Sequence, residues 1–144
     1  MYLAIGATVT PLWIGNSVGF GLGGNIGWKY DSISANNGGV AMSRYPLDLW
    51  AQTLIAISDR WYAHLLAGPH KESGVNISGS GVVSGSGDFG SPWGWMAQGG
   101  FYATSSWHMA LGFGLRYTGV HYTFAGRTFD ASNIGLDLTI HANL

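Results

Sequence analysis

Large apolar residues alternate with glycine or polar residues along much of the chain. Between residues 18 and 30 the even positions read Val18, Phe20, Leu22, Gly24, Ile26, Trp28 and Tyr30, against Gly19, Gly21, Gly23, Asn25, Gly27 and Lys29 at the odd ones. A period of two sends the sets to opposite faces of a strand, one greasy and one small or polar. Residues 107–118 repeat the pattern, with Trp107, Met109, Leu111, Phe113, Leu115 and Tyr117 opposing His108, Ala110, Gly112, Gly114, Arg116 and Thr118. The last segment does so again, Ile134, Leu136, Leu138 and Ile140 opposing Gly135, Asp137, Thr139 and His141. Weaker alternation runs through residues 2–12, 42–55, 60–69 and 93–103. The pattern predicts seven strands of about 9 to 13 residues, the length at which a tilted strand crosses a bilayer; strands of soluble sheets average about 5 or 6.

The connectors fall into two alternating kinds. Short ones are expected at residues 13–17, 57–59 and 103–106, and long loops at 31–39, 70–92 and 119–131. If each strand crosses once, the short turns share one end and the long loops the other, which is the layout of an antiparallel transmembrane β-barrel. The aromatics then sort into two girdles: Trp13, Trp61, Phe101 and Trp107 at the short-turn end, and Trp28, Tyr30, Tyr45, Trp93, Trp95 and Tyr117 at the long-loop end. Single-chain bacterial barrels normally have an even number of strands. A nominal eight is therefore expected, the additional one lying before Tyr2, within residues 75–84, or in a different division of residues 40–70.

Composition agrees with a face turned away from water. Of 144 residues, which suit one domain spanning 1–144, only 9 % are charged, and there are 24 glycines and 7 tryptophans. No apolar run approaches the roughly 20 residues of a spanning helix, and 47 % hydrophobic content excludes disorder. A net charge of −1 argues against nucleic acid as a partner. With no cysteine, neither disulfides nor thiolate metal sites can form. The opening MYLAIGATVT carries no export signal, so a mature or trimmed chain is expected.

Residues 111–144, LGFGLRYTGVHYTFAGRTFDASNIGLDLTIHANL, resemble the closing hairpin of small bacterial outer-membrane β-barrels of the porin-like superfamily. The resemblance implies residence in the outer membrane of a Gram-negative bacterium, insertion by the barrel-assembly machinery and contact with membrane lipid. Such barrels usually end in an aromatic residue that aids assembly; this chain ends in Leu144.

The candidate chemistry is sparse. GFGLGG at residues 19–24 matches the dinucleotide-binding pattern but sits inside a strand, where glycine instead leaves room for large inward side chains. The glycine-serine stretch at 74–92 lacks the lysine and helix of a phosphate loop. His64, His108 and His141 point inward without a close acidic partner at ligand spacing, so no metal or other cofactor is expected. Ser106, His108 and Asp137 are the residues an acyl-transfer triad would draw on, but Asp137 lies too deep along its strand to close one readily. The inward charges are expected to form a polar network of Lys29, Arg44, Asp48, His64, His108, Arg116, Asp137 and His141, since a buried charge is costly unless paired. The expected function is a non-enzymatic barrel, structural and surface-exposed or a narrow conduit for a small solute or hydrophobe. The alternatives are a barrel enzyme acting on lipid or lipopolysaccharide, and a soluble or self-assembling β-protein.

Overall fold

The computed structural model of the chain describes residues 2–81, 85–88, 90–104, 109–124 and 126–142. It is all-β. Seven long strands follow the alternating segments: β1 (Tyr2–Ile14), β2 (Val18–Ala35), β3 (Gly38–Ala56), β4 (Trp61–Gly81), β6 (Trp93–Thr104), β7 (Met109–Phe124) and β9 (Asn133–Ala142). Two four-residue strands, β5 (Gly85–Asp88) and β8 (Arg127–Asp130), fold back onto the far ends of β4 and β7. Every pairing is antiparallel, in the order β1-β2-β3-β4-β6-β7, with β9 along the lower part of β7.

The sheet is not closed. Among the described residues no hydrogen-bonded ladder joins β1 to β9, so the eight-stranded closed ring expected from the pattern is replaced by an open sheet with two free edges. Residues 75–81 continue β4 and pair with β5, so they supply no further full-length crossing. The sheet is nevertheless curled. Three ladder steps separate β3 from β7, about 14 Å if flat, yet Asp48 on β3 lies 2.6 Å from Arg116 on β7.

The long connectors are also shorter than expected. β2 and β3 extend through most of residues 31–39 to a turn at Asn36 and Asn37, β4 continues to Gly81, and β7 and β8 make a hairpin inside residues 119–131. These extensions satisfy their backbone groups by pairing with each other. They need no apolar face to do so, and therefore carry little of the alternation that marks a strand in sequence.

Side-chain faces follow the alternation. The outward set includes Leu3, Ile5, Leu22, Ile26, Leu49, Leu65, Leu111, Leu115, Leu136 and Leu138, all well exposed, with Leu136 at 88 %. The inward set holds the buried polar residues Arg44, Asp48, Gln52, His64, His70, Glu72, Gln98 and Thr118. A small apolar cluster, Val75, Val120 and Tyr122 with Met42 and Ala131 against it, covers this inner face toward the long-loop end. Two irregularities keep the faces aligned. Between Val9 and Leu12 the β1 register shifts at Thr10 and Pro11, an edge position where a missing N–H is tolerated. Between Ser43 and Tyr45 the β3–β4 register shifts opposite Gly74, whose φ of 58° suits glycine, and the inward residues of β4 pass from His70 and Glu72 to Val75.

Candidate functional site

The inner face brings charged side chains from β2, β3, β4 and β7 into one line. Asp48, fully buried, has Oδ1 2.5 Å from His70 Nδ1, and its Oδ2 accepts from Arg116 Nη2 at 2.6 Å and from the Tyr2 hydroxyl at 3.4 Å. On the other side of the ring, His70 Nε2 lies 3.2 Å from Glu72 Oε1. Arg44 Nε stands 3.4 Å from the same Glu72 oxygen, while its Nη2 donates to Asp31 at 2.8 Å and its Nη1 to the Tyr122 hydroxyl at 3.0 Å.

An ionised carboxylate only accepts hydrogen bonds, so a histidine placed between two of them carries hydrogen on both nitrogens. With Asp48 and Glu72 both ionised, His70 donates from both nitrogens as an imidazolium. The line reads Asp31, Arg44, Glu72, His70, Asp48, Arg116, acidic and basic groups alternating, three of each. Alternation is what allows charges to persist where side chains such as those of Asp48, His70 and Glu72 are at most 2 % exposed. Glu72 Oε2 is buried without a hydrogen-bond partner, and Glu72 lines a neighbouring cavity of about 330 Å³. Lys29 and Asp137 also line that cavity.

A second group lies nearer the short-turn end. His64 stacks on Tyr102 with ring centroids 4.1 Å apart, and Gln98 Nε2 stands 3.4 Å from His64 Nε2 while donating to Asp137 Oδ2 at 2.8 Å. The amide nitrogen can only donate, so His64 Nε2 accepts. The stack occupies space left by glycines: a Cβ on Gly112 would lie 2.5 Å from the Tyr102 ring, and one on Gly100 2.9 Å from His64 Cε1.

Of the residues expected inside, Arg44, Asp48 and Arg116 share the line, and His64 and Asp137 share the second group. Arg44 pairs with Asp31 and Glu72 rather than with Asp48, and Asp137 receives Gln98. Lys29 is half-buried at the cavity wall. His108 and Ser106 lie outside the described residues, as does Trp107 of the girdles; β9 carries His141, whose side chain is not described. Trp13, Trp61 and Phe101 are exposed at one end, and Tyr30, Tyr45, Trp93 and Trp95 at the other. Trp28 stacks on Tyr30 and Tyr117 packs against Trp95, at 6.0 and 4.8 Å between ring centroids.

Sequence reasoning missed His70, Glu72, Asp31, Gln98 and Tyr122. The first two continue the inward series His64, Leu66, Gly68 at the same period and were legible there; the assumed loop at residues 70–92 hid them. Among the described residues no three His, Asp or Glu groups are placed to hold a metal. Compared with known proteins, the chain matches no family model, no curated protein and no solved structure.

Proposed function

We propose that the curled sheet is the wall of a membrane-spanning β-barrel whose interior is filled by its own charge network, and that the protein acts as a non-enzymatic structural and surface-exposed element of a bacterial outer membrane. The observation that carries this reading is the inversion of the usual polarity. The most buried side chains include Asp48, His70 and Glu72, while Leu136 and Leu138 are 88 % and 85 % exposed. Water would drive such an outer face into aggregation, whereas hydrocarbon is its natural surrounding.

Dimensions support the same reading. Ten residues of β4 separate Trp61 from Lys71, which pairs with Trp93. At about 3.3 Å per residue and a tilt of about 40° they span roughly 25 Å, the height of the apolar band between girdles. Within that band the outward residues of β4 are Ala63, Leu65, Ala67 and Pro69, with Lys71 at the rim and its ammonium 5.2 Å from the Trp93 ring centroid. The partners are then membrane lipid and the barrel-assembly machinery.

The network also supports a filled barrel over a conduit. A conduit needs its charges apart around water; here oppositely charged groups of β3 and β7 touch across the interior. Refolding in detergent tests the reading. The expected result is a heat-modifiable band on an unboiled gel and no stepwise conductance in a planar bilayer. A folded monomer in water without detergent would refute the membrane assignment, and discrete conductance steps would refute the filled interior.

A further inference from the structure

The line of charges is balanced within itself, and two ionisable side chains beside it stand outside that balance. Lys29 of β2 has no carboxylate partner among the described residues. Asp137 of β9 takes a hydrogen bond from Gln98 on Oδ2 and pairs with no cation among them. Both line the cavity of about 330 Å³. So does Glu72, whose Oε1 faces His70 and Arg44 while its Oε2, on a side chain 2 % exposed, has no hydrogen-bond partner. An orphaned buried acceptor calls for a donor. We infer that this cavity is a binding site for a zwitterion of amino-acid size, whose ammonium donates to Glu72 Oε2 and Asp137 and whose carboxylate is held by Lys29. The inference goes beyond the membrane reading and does not depend on it, since it concerns the inner face alone.

Volume, charge and surface each narrow the ligand. At about 30 Å³ of liquid per water the cavity has room for about eleven waters, the small end of the range of ligand pockets. That suits a molecule of about ten non-hydrogen atoms. Lys29 and Asp137 add one basic and one acidic group to the balanced line, so a lone anion or cation would bring an uncompensated charge into a confined space, and a zwitterion brings none. The orphaned acceptor further requires an ammonium that carries hydrogen, as a primary amine does and a quaternary one does not. Pro46, Ile134 and Leu136 make part of the wall apolar, which suits an aliphatic side chain. The cavity shares His70, Glu72 and Arg116 with the line, so a ligand sits beside the network and leaves it intact.

Calorimetric titration of the full chain, refolded in an uncharged glucoside detergent, tests this with probes that differ in charge. They are L-leucine; L-leucinamide, which keeps only the ammonium; 4-methylpentanoate, which keeps only the carboxylate; and glycine betaine, a zwitterion without an N–H. At about pH 6.5, below the α-amino pKa, leucine is expected to bind about tenfold or more tightly than each of the others, the worth of one hydrogen bond to a charged group. Lys29→Met is expected to weaken leucine by about tenfold on the same ground and to turn the preference among the single-charge probes toward leucinamide. Asp137→Asn is expected to turn it toward 4-methylpentanoate. A purely structural role for either residue would move all probes together. Heats for leucine no larger than those of protein-free micelles, equal affinity for the four probes, or variants that leave the preference unchanged would overturn the inference. The comparison of probes on the wild-type chain decides the matter even if a variant fails to refold.

Discussion

Asp48→Ala removes the carboxylate that holds two cations on the inner face. Its Oδ2 accepts from Arg116 at 2.6 Å and its Oδ1 faces His70 at 2.5 Å; the three side chains are 0 %, 11 % and 2 % exposed for Asp48, Arg116 and His70. The two cations respond differently. His70 can release a proton and become neutral, while the guanidinium cannot, so the main loss is an uncompensated Arg116. Removing one partner of a buried pair costs about 3–5 kcal/mol, or roughly two to three and a half orders of magnitude in the folding equilibrium at about 1.4 kcal/mol per tenfold. Asp48→Asn keeps the shape and one acceptor and is expected to lie between alanine and wild type. Arg116→Met alone leaves Asp48 facing His70, and the Asp48→Ala, Arg116→Met double variant is expected to be more stable than the two single losses predict, with a coupling of about 2 kcal/mol. Urea unfolding of refolded protein in micelles, followed by tryptophan fluorescence, measures all four. A midpoint for Asp48→Ala equal to that of the exposed Asp59→Ala, or strict additivity in the cycle, would refute the network as a source of stability.

Gly112→Ala places a Cβ against the Tyr102 ring, so it is expected to displace the His64–Tyr102 stack and to cost about 1–3 kcal/mol, visible in near-ultraviolet circular dichroism and the unfolding midpoint. Leu138→Arg puts a charge on the outer face, where Leu138 is 85 % exposed; a position at the bilayer midplane predicts a loss of about 2–4 kcal/mol in lipid vesicles, whereas an outer face in water predicts none. At the long-loop end, the exposed Asp130 carboxyl is held below its ordinary range by hydrogen bonds from Ser132, first its side chain and then its amide at 2.9 Å. A depressed folded pKa gives a contribution that is complete above the unfolded value of about 3.9 and disappears as pH falls through the folded one. The Ser132 amide resonance is therefore expected to hold steady down to about pH 4 and to shift below it; a midpoint above that value would refute the assignment.

The period-two pattern determined which face each long strand would show, because alternation is a local property of extended backbone and needs no knowledge of neighbours. It placed Leu136 outward and Asp137 inward, it located seven long strands, and it gathered Arg44, Asp48 and Arg116 on one side. The strand extensions escaped it, since a ladder that satisfies its own hydrogen bonds in water need not be greasy on either face. His70 and Glu72 were lost with them. Which charges meet was decided only by tertiary structure. Asp48 finds Arg116 because the sheet curls β3 against β7, and Arg44 finds Glu72 because the register shift opposite Gly74 sets that part of β4 against β3. The odd count of seven strands already implied that the first and last run the same way, but that the sheet stays open between them is shown only by the pairing of the whole chain.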